Sequence, residues 1–365
     1  MSRSASIKDV ANHARVAVGT VSNVLNYPDR VSQRTKDRVL QAIDELGFVR
    51  NDAARQLRAG HSRTIGLIVL DVGNPFFTSV VRAAEDAAAL QGSAVLLGDS
   101  GHDAGRESNY IDLFQEQRVQ GLLISPVGDV TDRLDLLRER GVPTVLVDRL
   151  ADEAKYSSVS VDDDAGGYLA ARHLLDTGRR RLAFVGGPTS IRQVADRLQG
   201  AQRAVAEVPD ASLEVLDSAG QTVLAGRGVG DQLVRRSADE LPDGVFCAND
   251  LLALGVMQSL AMMHTLRIPE DIALIGYDDI DFAVSAVVPL SSIRQPTEAL
   301  GRTAIELLAE ELESDNPKHR AVIFTPELVV RQSTAGAGGI SVSGSSLSRS
   351  GDAEVPSAAE TSGRG

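Results

Sequence analysis

The chain has little that would cross-link it or hold it in a membrane. It contains one cysteine, Cys247, which excludes an internal disulfide framework and a cysteine-rich zinc site. No apolar run approaches the roughly 20 residues that a membrane-spanning helix needs. The N-terminal segment is basic and polar, so we expect no secretory signal and a cytoplasmic protein. Tryptophan is absent and aromatic residues make up only 4%, so a bound ligand could stack on few rings.

Charge is distributed unevenly along the 365 residues. Residues 1–63 contain 11 Lys and Arg against six Asp and Glu, a net charge of +5, whereas the remaining 302 residues contain 26 against 44, a net charge of −18. A basic head on an acidic body fits nucleic-acid binding by the head. Chance variation could produce the same contrast, so this interpretation needs a motif beside it. The length suits two or three domains.

Residues 6–50 have the pattern of a small helical domain. Ser6 is a suitable N-cap for a first helix, and Gly47 is a suitable C-terminal stop for a last one. Apolar residues in the last helix recur at helical spacing. We expect three helices, over residues 6–14, 17–25 and 33–46.

From residue 64 the pattern changes to short apolar runs that alternate with helical stretches. Such runs are typical of strands buried on both faces of a parallel sheet. Their alternation with helices predicts a doubly wound α/β fold, and their number predicts two lobes. The runs are Ile65–Leu70, Ala94–Leu97, Gly121–Ile124, Thr144–Val147, Leu182–Val185, Val245–Cys247 and Ile272–Ile275, and the helical stretches include Phe77–Leu90, Ala165–Leu175 and Leu251–Met263.

The first two predicted helices have the composition of a helix-turn-helix. Val10, Ala11 and Ala14 form the inner stripe of the first helix, and Ala11 is small where two helices must cross closely. The outer face of the second helix offers short side chains that can approach base edges and phosphates. An ordinary helical hairpin would show the same packing pattern, so packing alone leaves both interpretations open. The outer-face residues are Val18, Gly19, Thr20, Ser22 and Asn23.

The segment Ile7–Asn26, followed by Arg30-Val31-Ser32 and Gly47–Asn51, resembles the headpiece of the lactose-repressor (LacI/GalR) family of transcriptional regulators. The resemblance covers about residues 6–333. Arg15 departs from the pattern at a turn where Gly or Asn is usual, and Ala17 replaces the Ser or Thr that usually caps the recognition helix. The resemblance implies a DNA-binding head. We assign DNA contact in the head to Val18, Gly19, Thr20, Ser22, Asn23, Asn26 and Arg30.

Residues 51–60 predict one or two helical turns, too short to be stable alone in water. In the family that this chain resembles, paired hinge helices form on the operator and push a leucine into the minor groove, which kinks the duplex. The resemblance assigns that wedge to Leu57, the close helix contact to Ala54, and a minor-groove or phosphate contact to Arg58. A flexible linker whose leucine packs on the core is the alternative.

The body shows no arrangement of residues typical of catalysis. Gly226–Gly230 is rich in glycine but follows no clear strand, so we predict a turn rather than a dinucleotide-binding loop. Helix capping explains Asp162–Asp164 better than a cation site does. The six histidines are scattered, and Cys247 lies in an apolar run. We therefore predict no enzyme, no cofactor and no metal site.

Polar residues follow several predicted strands, at the ends where open α/β sheets bind ligands. Each could simply cap a helix, but together they indicate a cleft between two lobes. By the resemblance, an effector cleft is lined by Phe76, Arg149, Arg197, Asn249 and Asp278. Gln221 falls where many members carry an aromatic that stacks on the ligand, so a polyol, a small sugar and another polar metabolite remain open. The resembling motifs are Asn74–Phe77, Val147–Arg149, Asp196–Gly200, Ala248–Asp250, Gly276–Asp279 and Ile293–Pro296.

Together these patterns indicate a homodimer, or a tetramer built from it, that binds a pseudo-palindromic operator in double-stranded DNA. A small polar effector would control its action, most simply as a repressor. A cytoplasmic sugar-binding or sugar-processing protein is the alternative. The sequence names neither effector nor operator, and does not say whether the effector promotes or releases DNA binding. The expected parts are a headpiece over 1–50, a hinge over 51–63, a core over 64–334 and a disordered Gly/Ser-rich tail over 335–365, with an N-lobe of 64–163 and 293–322 and a C-lobe of 164–292 and 323–334.

Overall fold

The computed structural model describes residues 5–48, 63–151, 155–263, 266–314 and 317–335. They form two units, a helical head and an α/β body, which divide near residue 64. Leu57 and Arg58 lie outside the described residues, as do Ala54 and all of the predicted tail except Ala335. Within the described part of the chain, no helix is long and apolar enough to cross a membrane.

The head packs three helices around a small apolar core. Ser6 caps the first helix as predicted, because its Oγ accepts from the Asp9 amide at 3.3 Å while the Asp9 carboxylate accepts from the Ser6 amide at 2.8 Å. Gly47 ends the third helix in the left-handed region, with φ of 57°. The core residues are Val10, Ala11, Ala14, Val21, Val24, Val39 and Ala42. The helices are α1 (Ile7–His13), α2 (Val18–Asn26) and α3 (Gln33–Leu46), with a 3₁₀ turn at Pro28–Arg30.

The N-lobe is a six-stranded sheet covered by helices. Its strand order is β11-β5-β4-β3-β1-β2, and the strands from β11 to β1 pair in parallel. Strand β5 was not predicted, because three serines interrupt its apolar pattern although all five of its residues are buried. The elements are β1 (Thr64–Val69), α4 (Pro75–Leu90), β2 (Ala94–Asp99), α5 (Ala104–Glu116), β3 (Gly121–Ile124), α6 (Thr131–Glu139), β4 (Thr144–Val147), β5 (Ser157–Val161), α12 (Thr297–Glu313) and β11 (Ala321–Phe324).

The C-lobe is a four-stranded parallel sheet in the order β7-β6-β8-β9. The predicted turn at Gly226–Gly230 is wrong, because these residues lie inside helix α9. A Cβ on Gly226 would lie 2.1 Å from the Leu252 carbonyl oxygen, so this glycine serves close helix packing. The elements are α7 (Asp163–Asp176), β6 (Arg181–Gly186), α8 (Arg192–Ala206), β7 (Ser212–Asp217), α9 (Val223–Val234), β8 (Gly244–Cys247), α10 (Asp250–Met263), β9 (Ala273–Ile275) and α11 (Asp281–Val284).

The chain passes between the lobes three times. The last passage follows β11, because β11 pairs with β5 over its full length and keeps the chain in the N-lobe as far as Phe324. The other passages follow β5 and β10. The connecting elements are β10 (Ser292–Arg294) and β12 (Glu327–Val329), which pair antiparallel, and the closing helix α13 (Gln332–Ala335).

Candidate functional site

Helix α2 presents the outer face that the sequence predicts. Gly19 and Asn23 are exposed, whereas Val21 and Val24 of the opposite face are buried in the head. Ala17 is the N-cap residue and provides no side-chain hydrogen bond, so the cap is missing as its residue type indicated. The other predicted contact residues on this helix are the half-buried Val18, Thr20 and Ser22 and the exposed Asn26.

Two further features shape the head. Arg15 takes a φ of 53°, the left-handed conformation that its place in the turn requires. The exposed Arg30 guanidinium lies 5.0 Å from the centre of the Tyr27 ring, and Tyr27 is itself 54% exposed. Sequence analysis did not single out Tyr27, although an aromatic beside an arginine just after a recognition helix is a usable signal.

In the body, hydrogen bonds join the two lobes where their strands end. Asn74 caps α4 in the N-lobe and donates from Nδ2 to Asp278 Oδ2 of the C-lobe at 3.0 Å. Gln193 on α8 donates from Nε2 to the carbonyl oxygen and to Oδ2 of Asp148, which follows β4, at 2.7 and 2.8 Å. Asp148 and Asp278 both have positive φ, 56° and 107°, so sharp turns aim their carboxyl groups at the cleft.

A cavity of about 40 Å³ lies beside these contacts. It has little more than the share of liquid volume that one water occupies, about 30 Å³. Five of the six predicted effector residues line it, namely Phe76, Arg197, Gln221, Asn249 and Asp278. The sixth, Arg149, does not, because it lies beyond Asp148 in a second cavity of about 450 Å³ and donates to the Pro126 carbonyl oxygen at 3.0 Å. The resemblance had placed it in the same cleft as the others.

Arg197 is the buried cation of the cleft. Its Nε donates to Asp163 Oδ1 at 2.7 Å, and its Nη1 donates to the Ala248 carbonyl oxygen at 2.8 Å. The guanidinium lies 3.6 Å from the centre of the Tyr277 ring and 3.9 Å from Asp278 Oδ1. Two of its five N–H donors are therefore engaged within the C-lobe.

Close packing of helices α7 and α8 places Arg197 beside Asp163. A Cβ on Gly200 would lie 1.9 Å from the Asp164 carbonyl oxygen, and one on Gly167 would lie 2.0 Å from the Arg197 carbonyl oxygen. Helices α7 and α8 can approach this closely only because both positions lack a side chain. The approach brings Arg197 of α8 to Asp163 at the start of α7.

The carboxyl groups of the cleft are strongly perturbed. Burial, reinforced by the charge of Asp163, raises the pKa of Asp148 to about 8. Burial also raises the pKa of Asp278 to about 6, although Arg197 and the hydrogen bonds from Asn74 and Gln295 oppose this shift. Burial by itself would lower the pKa of Arg197, but the surrounding carboxylates together raise it. The cleft therefore holds a fixed positive charge among carboxyl groups that exchange protons near neutral pH.

Several cleft residues were missed by the sequence reasoning. His102 follows β2 and lines the small cavity, where burial lowers its pKa. The strand before it, β2, was predicted to end at Leu97, whereas it continues to Asp99. The residues after Asp99 were therefore not considered as ligand-binding residues at a strand end. Gln193 lies one helical turn before Arg197 and so shares its face, which periodicity could have shown.

Two further predicted effector residues, Asn249 and Gln221, hydrogen-bond to backbone groups that line the cleft. Asn249 donates from Nδ2 to the Gln221 carbonyl oxygen at 3.0 Å and accepts from the Leu252 amide at 2.8 Å. Gln221 donates from its side-chain Nε2 to the Gly187 carbonyl oxygen at 2.6 Å. Asp162 caps α7 through the Ala165 amide, as its position predicted. Among the residues that the structure describes, no group of three His, Cys, Asp or Glu side chains is placed to hold a metal ion.

Family models match the head and the body separately, and known repressors match nearly the whole chain. Residues 6–51 match the bacterial regulatory proteins of the lacI family, and residues 171–334 match a periplasmic binding protein-like domain. The HTH-type transcriptional repressor PurR of Vibrio vulnificus is 34% identical over 335 residues, which are 90% of this chain and 98% of the relative. PurR of Aliivibrio fischeri (strain MJ11) is 32% identical over 336 residues, with the same shares of each chain.

Solved structures agree with this likeness. The lac repressor dimer bound to operator and the anti-inducer ONPF superimposes with a TM-score of 0.76 at 26% identity, covering 91% of this chain and 99% of that one. The complex of the transcriptional regulator CelR with cellobiose gives a TM-score of 0.65 at 30% identity, covering 90% and 99%. Because the likeness joins the helix-turn-helix head to the two-lobed body over nearly the whole length of named repressors, this chain belongs to the lacI family of bacterial regulatory proteins and is a DNA-binding transcription regulator.

Proposed function

We propose that the protein is a homodimeric repressor that acts on DNA in the cytoplasm. A small polar effector that binds in the body raises or lowers its affinity for the operator. The observation that carries this proposal is the pair of polar contacts, Asn74 to Asp278 and Gln193 to Asp148, that join the lobes around a cavity lined from both sides. A ligand placed there touches both lobes. It therefore favours one lobe arrangement over the other by its differential affinity.

The size of the cavity supports a link between ligand binding and lobe movement. At about 40 Å³ it is far below the roughly 300–1,000 Å³ of pockets that hold small molecules. A sugar or nucleobase can enter only if the lobes part and the two contacts break. Coupling of this kind is typically worth about 1–3 kcal/mol between effector and operator.

The head supports specific DNA recognition through α2. Asn23 is exposed where it can bond a base edge, Gly19 permits close approach, and Val18 can touch a thymine methyl group. An operator selected from random duplex DNA by full-length protein, followed by fluorescence anisotropy at several salt concentrations, tests this role. We expect two half-sites related by a pseudo-two-fold axis, and affinity that falls as salt rises. Selection of no preferred sequence would contradict it.

Effector control is tested by thermal shift of the full-length protein against sugars, cellobiose included, and nucleobases. A compound that raises the melting temperature should also change operator affinity. A matched pair of variants checks the site: Asp278→Asn alters the cleft, and Asp281→Asn alters an exposed carboxylate of α11 nearby in sequence. We expect the first variant to lose the response and the second to keep it. A compound that binds equally well to both would place its site elsewhere.

Exposed apolar surface supports the homodimer. The edge strand β2 exposes Leu96 and Leu97, and an apolar sheet edge is normally covered. We expect Leu97→Lys to shift the protein toward monomer in analytical ultracentrifugation. Val215→Lys, on the half-exposed edge strand β7 of the other lobe, serves as the control and should not. Equal effects would move the interface away from β2.

A further inference from the structure

Two buried oxygen atoms in the contact between the lobes are unpaired. They are Asp148 Oδ1 and Gln193 Oε1, and neither has a hydrogen-bond partner in the part of the chain that the structure describes. The two residues are 5% and 6% exposed. The other atoms of the same two groups are bonded to each other, because Gln193 Nε2 donates to Asp148 Oδ2 at 2.8 Å. Buried polar atoms are normally paired, so the two oxygens need an explanation.

A single proton pairs both oxygens. On Asp148 Oδ1 it makes an O–H donor, and Gln193 Oε1 belongs to the amide that already bonds the other oxygen of the same carboxyl group. The observed bond from Nε2–H to Oδ2 would then be joined by one from Oδ1–H to Oε1, the unpaired acceptor of the same amide. An ionised carboxylate offers acceptors only, so it leaves Gln193 Oε1 unpaired.

Burial, and after it the charge of nearby carboxylates, also favours the neutral form of Asp148. Asp163 at the start of α7 and Asp278 after β9 bring negative charge, and Arg197 of α8 opposes them. Arg197 is already bonded to Asp163 at 2.7 Å, so its charge is shared. Burial then raises the pKa of Asp148 to about 8. The other titratable side chains that line the two cavities beside Asp148 are Asp71, His102, Arg149, Asp162, Asp164, Arg192 and Asp196.

We propose that a proton on the Asp148 carboxyl group favours closure of the lobes, so that closure of the cleft takes up a proton from solvent. This inference rests on the effector cleft proposed above and names how its closure is regulated. In the open cleft Asp148 meets water, where aspartate ionises near pH 4, at about 3.9. Between about pH 6, below which Asp278 also takes up a proton, and about 8 the ratio of closed to open molecules falls roughly tenfold for each pH unit, and above about 8 the ratio levels off.

The test measures the distance between the lobes in full-length protein without effector. Nitroxide labels on Asp132→Cys in α6 and Gln232→Cys in α9 report that distance by double electron–electron resonance. Cys247 is buried, so the labels go to the introduced residues. Labelled chains are mixed with excess unlabelled chains so that only distances within one chain contribute. We expect the short-distance population to fall as pH rises from 5.5 to 8 and then to level off.

Two variants identify the group that takes up the proton. Asp148→Asn carries the donor and the acceptor of the protonated acid at every pH, so its short-distance population should stay nearly constant from about pH 6, below which Asp278 titrates, to pH 8. Asp71→Asn is the matched control, because Asp71 lines the same cavity but bonds its own loop through the Gly73 amide at 2.7 Å. It should keep the wild-type pH dependence.

A third comparison applies if Asp148→Asn does not fold. Gln193→Leu removes the acceptor and should lower the closed population at every pH, whereas Gln199→Leu, on the exposed side of the same helix, should not. A distance that does not change with pH in the wild type, or an unchanged pH dependence in Asp148→Asn, overturns the inference. Neither result decides whether an effector binds, which the thermal-shift screen measures separately.

Discussion

Replacing Arg197 with alanine should remove about 3–5 kcal/mol from the free energy of unfolding of the body. The side chain is 7% exposed, and its guanidinium bonds Asp163 and the Ala248 carbonyl oxygen while facing Asp278 at 3.9 Å. The substitution leaves two buried carboxyl groups without their cation. A desolvated charge that has lost its partner costs far more than an exposed ion pair contributes, and this difference sets the magnitude.

Urea denaturation followed by far-ultraviolet circular dichroism measures this loss, since the chain has no tryptophan to serve as a fluorescent reporter. Arg192→Ala is the matched control, because Arg192 lies on the same helix and pairs with Asp196 at 2.8 Å but is 68% exposed along its side chain. It should lose no more than about 1 kcal/mol.

The loss in free energy of unfolding caused by Arg197→Ala should depend on pH, because the Asp163 carboxyl group titrates. Burial raises the pKa of Asp163, and removal of the guanidinium should raise it further. As pH falls, Asp163 takes up a proton and no longer needs a cation, so the deficit should narrow in acid. Equal stability of the Arg197 and Arg192 variants, or a deficit that widens in acid, would refute the reasoning.

Further predictions concern the head, the hinge and the helix crossing. Asn23→Ala should cost roughly 1–3 kcal/mol at one base position in each half-site, and equal losses in anisotropy titrations of all operator variants would make Asn23 a positioning contact instead. Ala17→Ser should raise the stability of the head by about 1 kcal/mol in thermal unfolding by restoring the missing cap, and no change would show that the cap is not limiting. Leu57→Ala should reduce operator bending, measured by cyclisation or by fluorescence resonance energy transfer, while an unchanged bend would exclude the wedge. Gly200→Ala should destabilise the body by about 1–3 kcal/mol, whereas Gly228→Ala, in open space within a helix, should not, as urea denaturation would show.

The fold could be predicted largely from the sequence because its signals are local. A strand buried on both faces shows as a continuous apolar run, and helix ends show as caps such as Ser6 and stops such as Gly47. Five of the observed strands were not predicted: β5, β7, β10, β11 and β12. Two of them lack the signal of a continuous apolar run. Buried serines interrupt β5, and β7 is an edge strand with exposed residues and a charged Glu214. Gly226–Gly230 was assigned to a turn because glycine marks turns locally, whereas here it serves a helix crossing that depends on a distant partner.

For the candidate site, too, local sequence signals predicted some features and tertiary contacts decided the others. The sequence by itself determined that a helix-turn-helix precedes a two-lobed α/β body and that polar residues gather at the strand ends, since motifs and strand-end positions are read within a few residues. Only the tertiary structure decided which of those groups meet. Asn74 bonds Asp278 across 204 positions, and Gln193 bonds Asp148 across 45, so these pairs depend on strand order and lobe closure. Charge partners and burial follow from the same packing, which is why the raised pKa of Asp148 appears only in the folded chain.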